Sequence, residues 1–149
     1  MSLNKDLHNN IRTPARNALG PVALTTIAGL AGKGIDRQGY GGVEFIIAYG
    51  AVTSTNATIT PVVKEGDVTG TMTSVADADL LGTEALAALP AQATSRTSGV
   101  GKFTSTRVGY KGNKRYVSCG IASTTVTAAT IVNIEAVLYN PAIAPTANP

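Results

Sequence analysis

Catalysis and metal binding need particular side chains at particular spacings, and this sequence holds few of them. His8 is its only histidine and Cys119 its only cysteine. A Ser-His-Asp or Cys-His centre needs an imidazole held rigidly against a nucleophile. His8 instead falls in a polar, irregular N-terminal stretch. Cys119 sits in the apolar run Tyr116-Val117-Ser118-Cys119-Gly120-Ile121, where a buried, inert thiol is expected. A lone cysteine cannot form an internal disulfide. A structural zinc needs three or four Cys, His or carboxylate ligands, and one Cys with one His does not supply them.

Two further patterns fail on spacing. Gly29-Leu30-Ala31-Gly32-Lys33-Gly34 has the look of a phosphate loop, but its glycines stand too close together. Gly34 also occupies the place of the Ser or Thr that would reach magnesium. The segment reads as a flexible connection between strands. Asp77, Asp79 and Glu84 approach a calcium loop but lack its alternating oxygen ligands and central glycine. Aspartates bonding their own backbone in a turn are the simpler account. Carboxylate pairs for glycoside hydrolysis would need aromatic platforms for a sugar, and the chain has no Trp and only two Phe. The expectation is a chain with no cofactor, no metal and no catalytic residues.

Charge is more informative. Five of the nine acids lie between residues 65 and 84: Glu65, Asp67, Asp77, Asp79 and Glu84. Six of the twelve bases lie between residues 96 and 115: Arg96, Lys102, Arg107, Lys111, Lys114 and Arg115. Blocks of opposite sign can complement one another within a subunit or between neighbours. A basic block can also meet nucleic acid, or simply be a solvated hairpin. A net charge of +3 and sparse aromatic residues weigh against a nucleic-acid platform. The candidate interface is therefore the six bases with Asp77, Asp79 and Glu84, joined by Arg12 and Arg16 near the N-terminus.

The elements that must position these residues are strands. The 149 residues include 22 Ala, 20 Thr and 16 Gly, and only 14% are charged, well below the roughly 25% of an average soluble domain. Thr favours strands and Gly favours turns, and so little surface charge suits a protein that works against neighbours. Residues 22–31 suggest a first strand. Residues 43–50 alternate, with Val43, Phe45, Ile47 and Tyr49 on one face; the opposite face is also partly apolar, which predicts a central strand. Residues 57–64 follow after a turn and predict a hairpin with it, Pro61 placing the second strand at an edge or bulge. Residues 83–89 suggest one or two helical turns capped by Thr83 and stopped by Pro90. Residues 102–110 and 115–122 flank a tight turn, and residues 130–139 form a last strand with Val132, Ile134, Ala136 and Leu138 on one face.

Six to eight short strands with little helix predict an all-β domain, a β-sandwich or small jelly-roll-like barrel. Its expected limits are an extended N-terminal arm over residues 1–20, the β domain over 21–140 and a Pro-rich tail over 141–149. The N-terminus lacks the apolar core of a signal peptide. No run of 18 apolar residues offers a membrane span, so no membrane partner and cytoplasmic assembly are expected.

A resemblance sharpens the function. The blocks Ile35-Asp36-Arg37-Gln38-Gly39-Tyr40, Val43 to Ala48, Asp77 to Glu84, Val108 to Val117 and the Pro-containing ending from Asn140 resemble small proteins of tailed-phage and prophage structural gene clusters, encoded near the major capsid protein. The resemblance begins at about residue 35. It implies a virion component, above all a capsid decoration (cement) protein that binds across subunits of the major capsid protein on the shell surface. For such a role a homo-oligomer is expected, preferably a trimer at three-fold or quasi-three-fold positions. The alternatives are a head-completion or tail subunit, or a displayed host- or sugar-binding module.

Overall fold

The computed structural model describes residues 3–25, 29–99 and 102–143. Its elements in chain order are helix α1 (Leu3–Asn10) and strands β1 (Ile11–Arg12), β2 (Leu19–Leu24), β3 (Ile35–Asp36), β4 (Tyr40–Tyr49) and β5 (Thr58–Gly66). Strands β6 (Thr73–Ser74), β7 (Leu80–Leu81), β8 (Ser105–Tyr110), β9 (Tyr116–Thr124) and β10 (Thr130–Pro141) complete the set. They make two antiparallel sheets. The larger has the order β1-β10-β4-β8-β7, with β2 continuing β1 along the same edge of β10, and the smaller has the order β3-β9-β5-β6. The fold is an all-β sandwich.

The alternation in the sequence explains the layers. Val43, Phe45, Ile47 and Tyr49 of β4 are buried, as are Val132, Ile134, Ala136 and Leu138 of β10. From the smaller sheet come Ile59 and Val63 of β5 with Val117, Cys119 and Ile121 of β9. These inward rows form one core. β4 lies at the centre of the larger sheet, as its two partly apolar faces predict. Each of its central residues has a partner on both sides, Phe45 between Val108 and Ala136.

The expected hairpin of residues 43–50 with 57–64 does not form, and the strands that flank the tight turn at residues 111–114 do not pair either. β4 and β5 belong to different sheets, and so do β8 and β9. Both flanks of β4 are taken by β8 and β10, leaving no free edge for β5. The turns at residues 53–56 and 111–114 therefore carry the chain across the core instead of along a sheet. The N-terminal segment also differs from an extended arm. Residues 3–10 are helical, Ile11 and Arg12 pair with Tyr139 and Leu138, and Leu19 already pairs with Ile134. The hydrogen-bonding edge of β10 draws this segment in, since an unpaired strand edge leaves backbone groups unsatisfied. Of the first strand expected over residues 22–31, residues 26–28 lie outside the described set, and the observed strand ends at Leu24. The tail beyond residue 143 lies outside it as well.

A pattern runs through these pairings. β1, β2 and β4 find partners in β10, β4 also in β8, and β3 in β9. Each strand of the first third is completed by a strand of the last third.

The glycine-rich segment after β2 is pinned, not free. Leu30 exchanges backbone hydrogen bonds with Ile121, 2.7 and 2.8 Å, so the segment crosses the outer side of β9. A Cβ on Gly32 would run into the Cys119 carbonyl, and one on Gly120 into the Leu30 carbonyl. The glycines are required by backbone approaching backbone.

β5 has an edge that needs covering. β6 pairs only with Lys64 and Glu65, and Pro61, which has no N–H to offer, sits on the uncovered stretch. The segment over residues 83–89, expected as helical turns, forms a hydrogen-bonded turn short of a helix and closes the rest. Thr83 Oγ1 accepts from Leu86 N at 3.1 Å, Leu89 and Ile59 exchange backbone hydrogen bonds, and the Glu84 carboxylate accepts from Val63 N at 2.5 Å. Glu84→Ala should leave that N–H unpaired within the fold and cost about 1–3 kcal/mol. Glu84→Gln keeps an acceptor and should recover most of the loss in a urea unfolding experiment; equal losses for the two variants would show that this hydrogen bond does not hold the edge.

Candidate functional site

The sequence-derived candidates separate into four places. Arg96 is the clearest correction: it is only 5% exposed and cannot meet a partner. Its backbone bridges to Val52, its Nε donates to Gln92 Oε1 at 2.9 Å, and its guanidinium also donates to the Pro90 carbonyl. It ties down the loop over residues 90–96, and burial lowers its pKa. A basic side chain is drawn inside here because loop carbonyls and an amide oxygen can accept its hydrogens. Glu84 is likewise spent on Val63.

The second place is one end of the sandwich, around the turn between β8 and β9. Here the acidic and basic blocks do meet, within the chain. Lys114 Nζ pairs with Asp67 at 2.7 Å. Lys111 N donates to the Asp79 carbonyl at 2.9 Å, joining the turn to the 3-10 turn Asp77–Asp79. Among the described residues no group of three or more Asp, Glu, His or Cys could hold a metal ion. The Tyr110 hydroxyl donates to the Glu65 carboxylate and accepts from Lys114 N. Burial, reinforced by Glu65, pushes its pKa up to about 12.

Sequence reasoning passed over the residue that organises this end. Arg37 follows β3 and donates from Nε to the Lys114 carbonyl at 2.5 Å. Its other nitrogens reach the Tyr40 carbonyl at 2.9 Å and the Gly112 carbonyl at 2.5 Å. Its guanidinium carbon lies 5.4 Å from the centre of the Tyr110 ring. A single arginine beside a two-residue strand carries no pattern signal; only the closure of the turn against it reveals the role.

The third place is the outer face of the larger sheet. Alternation along β4 turns Ile46 outward, between Arg107 of β8 and Glu135 of β10. Ile46 is 41% exposed, Leu81 43% and Ile131 51%. Arg107 Nε lies 3.7 Å from Glu44 Oε1, an exposed pair that contributes little to stability. Burial raises the Glu44 pKa, opposed by Arg107. Nearby in sequence, Lys102 Nζ stands 4.4 Å from the centre of the Phe103 ring, and Phe103 is 70% exposed.

The fourth place is a cavity of about 540 Å³ between the N-terminal segment and β3, lined by Arg12, Arg16, Asp36, Gln38 and Tyr40 among others. Arg115 grips Asp36 from outside, its Nε at 3.1 and 3.2 Å from the two carboxylate oxygens and its terminal nitrogen at 2.6 Å. These hydrogen bonds hold the Asp36 carboxyl below the usual range against the opposing effect of burial. Cys119 is fully buried, as expected, and burial pushes its thiol pKa up.

No protein-family model matches the chain, and no curated protein matches it. Among solved structures it is similar to the CBM22-1 xylan-binding domain of a Paenibacillus barcinonensis protein, at 11% identity and a TM-score of 0.45, over 88% of this chain and 86% of that one. It is similar to the CBM22-1 and GH10 modules of a Clostridium thermocellum xylanase at 11% identity and 0.44, over 89% of this chain and 26% of that one. It is also similar to the vertex protein P5 of PRD1 at 16% identity and 0.37, over 86% of each chain. These are likenesses of outline between β-structures, and no activity or ligand is carried over from them.

Proposed function

We propose that this chain is a non-enzymatic structural protein of a virus particle, a tailed-phage decoration protein that binds across major capsid protein subunits. The observation that carries the reading is the outer face of the six-stranded sheet. It presents Ile46, Leu81 and Ile131 to solvent between Arg107, Glu44 and Glu135. Exposed apolar side chains interspersed with charge on one sheet face suit a protein-binding surface. The fate of the polar groups supports the same reading. Arg37, Glu84, Arg96 and Asp36 are all engaged in closing turns and edges, which suits a rigid block that works by shape. The resemblance of the sequence to phage structural proteins supplies the partner, and a trimer at three-fold positions would clamp several shell subunits.

The test is reconstitution on purified shells that lack the chain. Ile46→Asp and Ile131→Asp, placed at exposed positions, should leave the fold intact and lower shell affinity at least about tenfold, equivalent to about 1.4 kcal/mol. Unchanged occupancy with both substitutions in place would remove this face from the interface. Electron microscopy of the particle separates the roles: many copies on the outer shell fit decoration, and density confined to one vertex or the tail fits a head-completion or tail subunit instead.

A further inference from the structure

The cavity beside β3 is lined by two arginines that form no ion pair among the described residues. Arg12 is fixed there by the backbone pairing of β1 with Leu138 of β10, and its Nε is buried without a hydrogen-bond partner. A buried donor left unpaired costs on the order of 1–3 kcal/mol and is rare. Asp36, the acid lining the cavity, does not answer it, because both its carboxylate oxygens are held by Arg115. Arg16, exposed at the rim, adds a second guanidinium. Local charge is thus Arg12, Arg16 and Arg115 against Asp36. The rest of the lining mixes the polar Gln38 and Tyr40 with apolar groups, among them Pro14, Ile35 and Leu138.

We infer that this cavity receives the carboxylate of an acidic side chain presented by another protein, with Arg12 and Arg16 as its donors. A guanidinium fork matches a planar carboxylate in two parallel hydrogen bonds, and the apolar groups of the lining suit the methylenes that carry it. A nucleic-acid backbone would call for a row of cations along a track, whereas here the two arginines line one open depression. The inference rests on the cavity alone and stands whether or not the chain belongs to a virion.

The experiment follows the Nε–Hε resonances of Arg12 and Arg16 by nuclear magnetic resonance in the full chain. The probes are a blocked Ala-Glu-Ala tripeptide, its glutamine counterpart and inorganic phosphate. The expected result is a saturable shift at Arg12 with the acidic tripeptide, at least about tenfold weaker binding of the other two, and loss of the response in Arg16→Gln, an exposed position that leaves the fold intact. Three results would each overturn the assignment: no saturable shift at Arg12, an equal response to the glutamine peptide, or tighter binding of phosphate, which would give the cavity to phosphate chemistry.

Discussion

Replacing Phe45 by alanine should destabilise the protein by about 3–5 kcal/mol, the range for emptying the place of a buried aromatic ring. Phe45 is fully buried in the central strand, with Val108 and Ala136 as its neighbours in β8 and β10. No edge is near enough to move in and fill the space. Domains of this size are stable by roughly 5–15 kcal/mol, so the variant should unfold at a far lower urea concentration with little change in the slope of the transition. Ile46→Ala, one residue along on the outer face, should shift stability by no more than about 0.5 kcal/mol. The contrast matters because a one-residue slip of register would exchange the two faces. Comparable losses at positions 45 and 46 would mean that the register of β4 is wrong.

The second large effect is expected at Arg37. Alanine there removes three hydrogen bonds from a charged group to the carbonyls of Tyr40, Gly112 and Lys114. Such bonds contribute about 1.5–3 kcal/mol each when measured singly. They share one side chain and a partly exposed site, so about 2–4 kcal/mol is the expected total. Arg37→Lys should recover little, because one ammonium on a flexible stem cannot span three carbonyls set around a planar fork. Thermal unfolding reads the difference directly, at about 2–4 °C per kcal/mol for a chain near this length. A lysine variant as stable as the parent would show that charge alone, not the fork, holds the turn.

How much of this was legible beforehand depends on what each residue's neighbours are. Strands β4 and β10 are readable because each buries one full row of alternating side chains, and that row is written in consecutive sequence. The central position of β4 follows from Ile46 and Ala48 on its second face. The hairpin is misread because turn residues such as Thr53-Ser54-Thr55-Asn56 report that the chain reverses, not which sheet receives it. Arg96 is misplaced because its acceptors, Gln92 and the Pro90 carbonyl, are loop groups with no pattern of their own. The cavity of Arg12 and Arg16 is visible in the sequence only as two charges. It takes the pairing of β1 with β10 to bring Arg12 beside Asp36 and Tyr40, more than 20 positions away in the chain.

The pairing of the first third with the last also dictates when this protein can take shape during its synthesis. A nascent chain that has reached residue 100 contains β4 but neither of the strands that flank it, and β1, β2 and β3 but no strand they pair with. Closing loops of that length precedes any reward from the contacts they bring, so such topologies fold slowly. The ribosome must release residues 105–141 before the sandwich can close, and until then the apolar row of β4 depends on the cell's chaperones or on speed to stay out of aggregates.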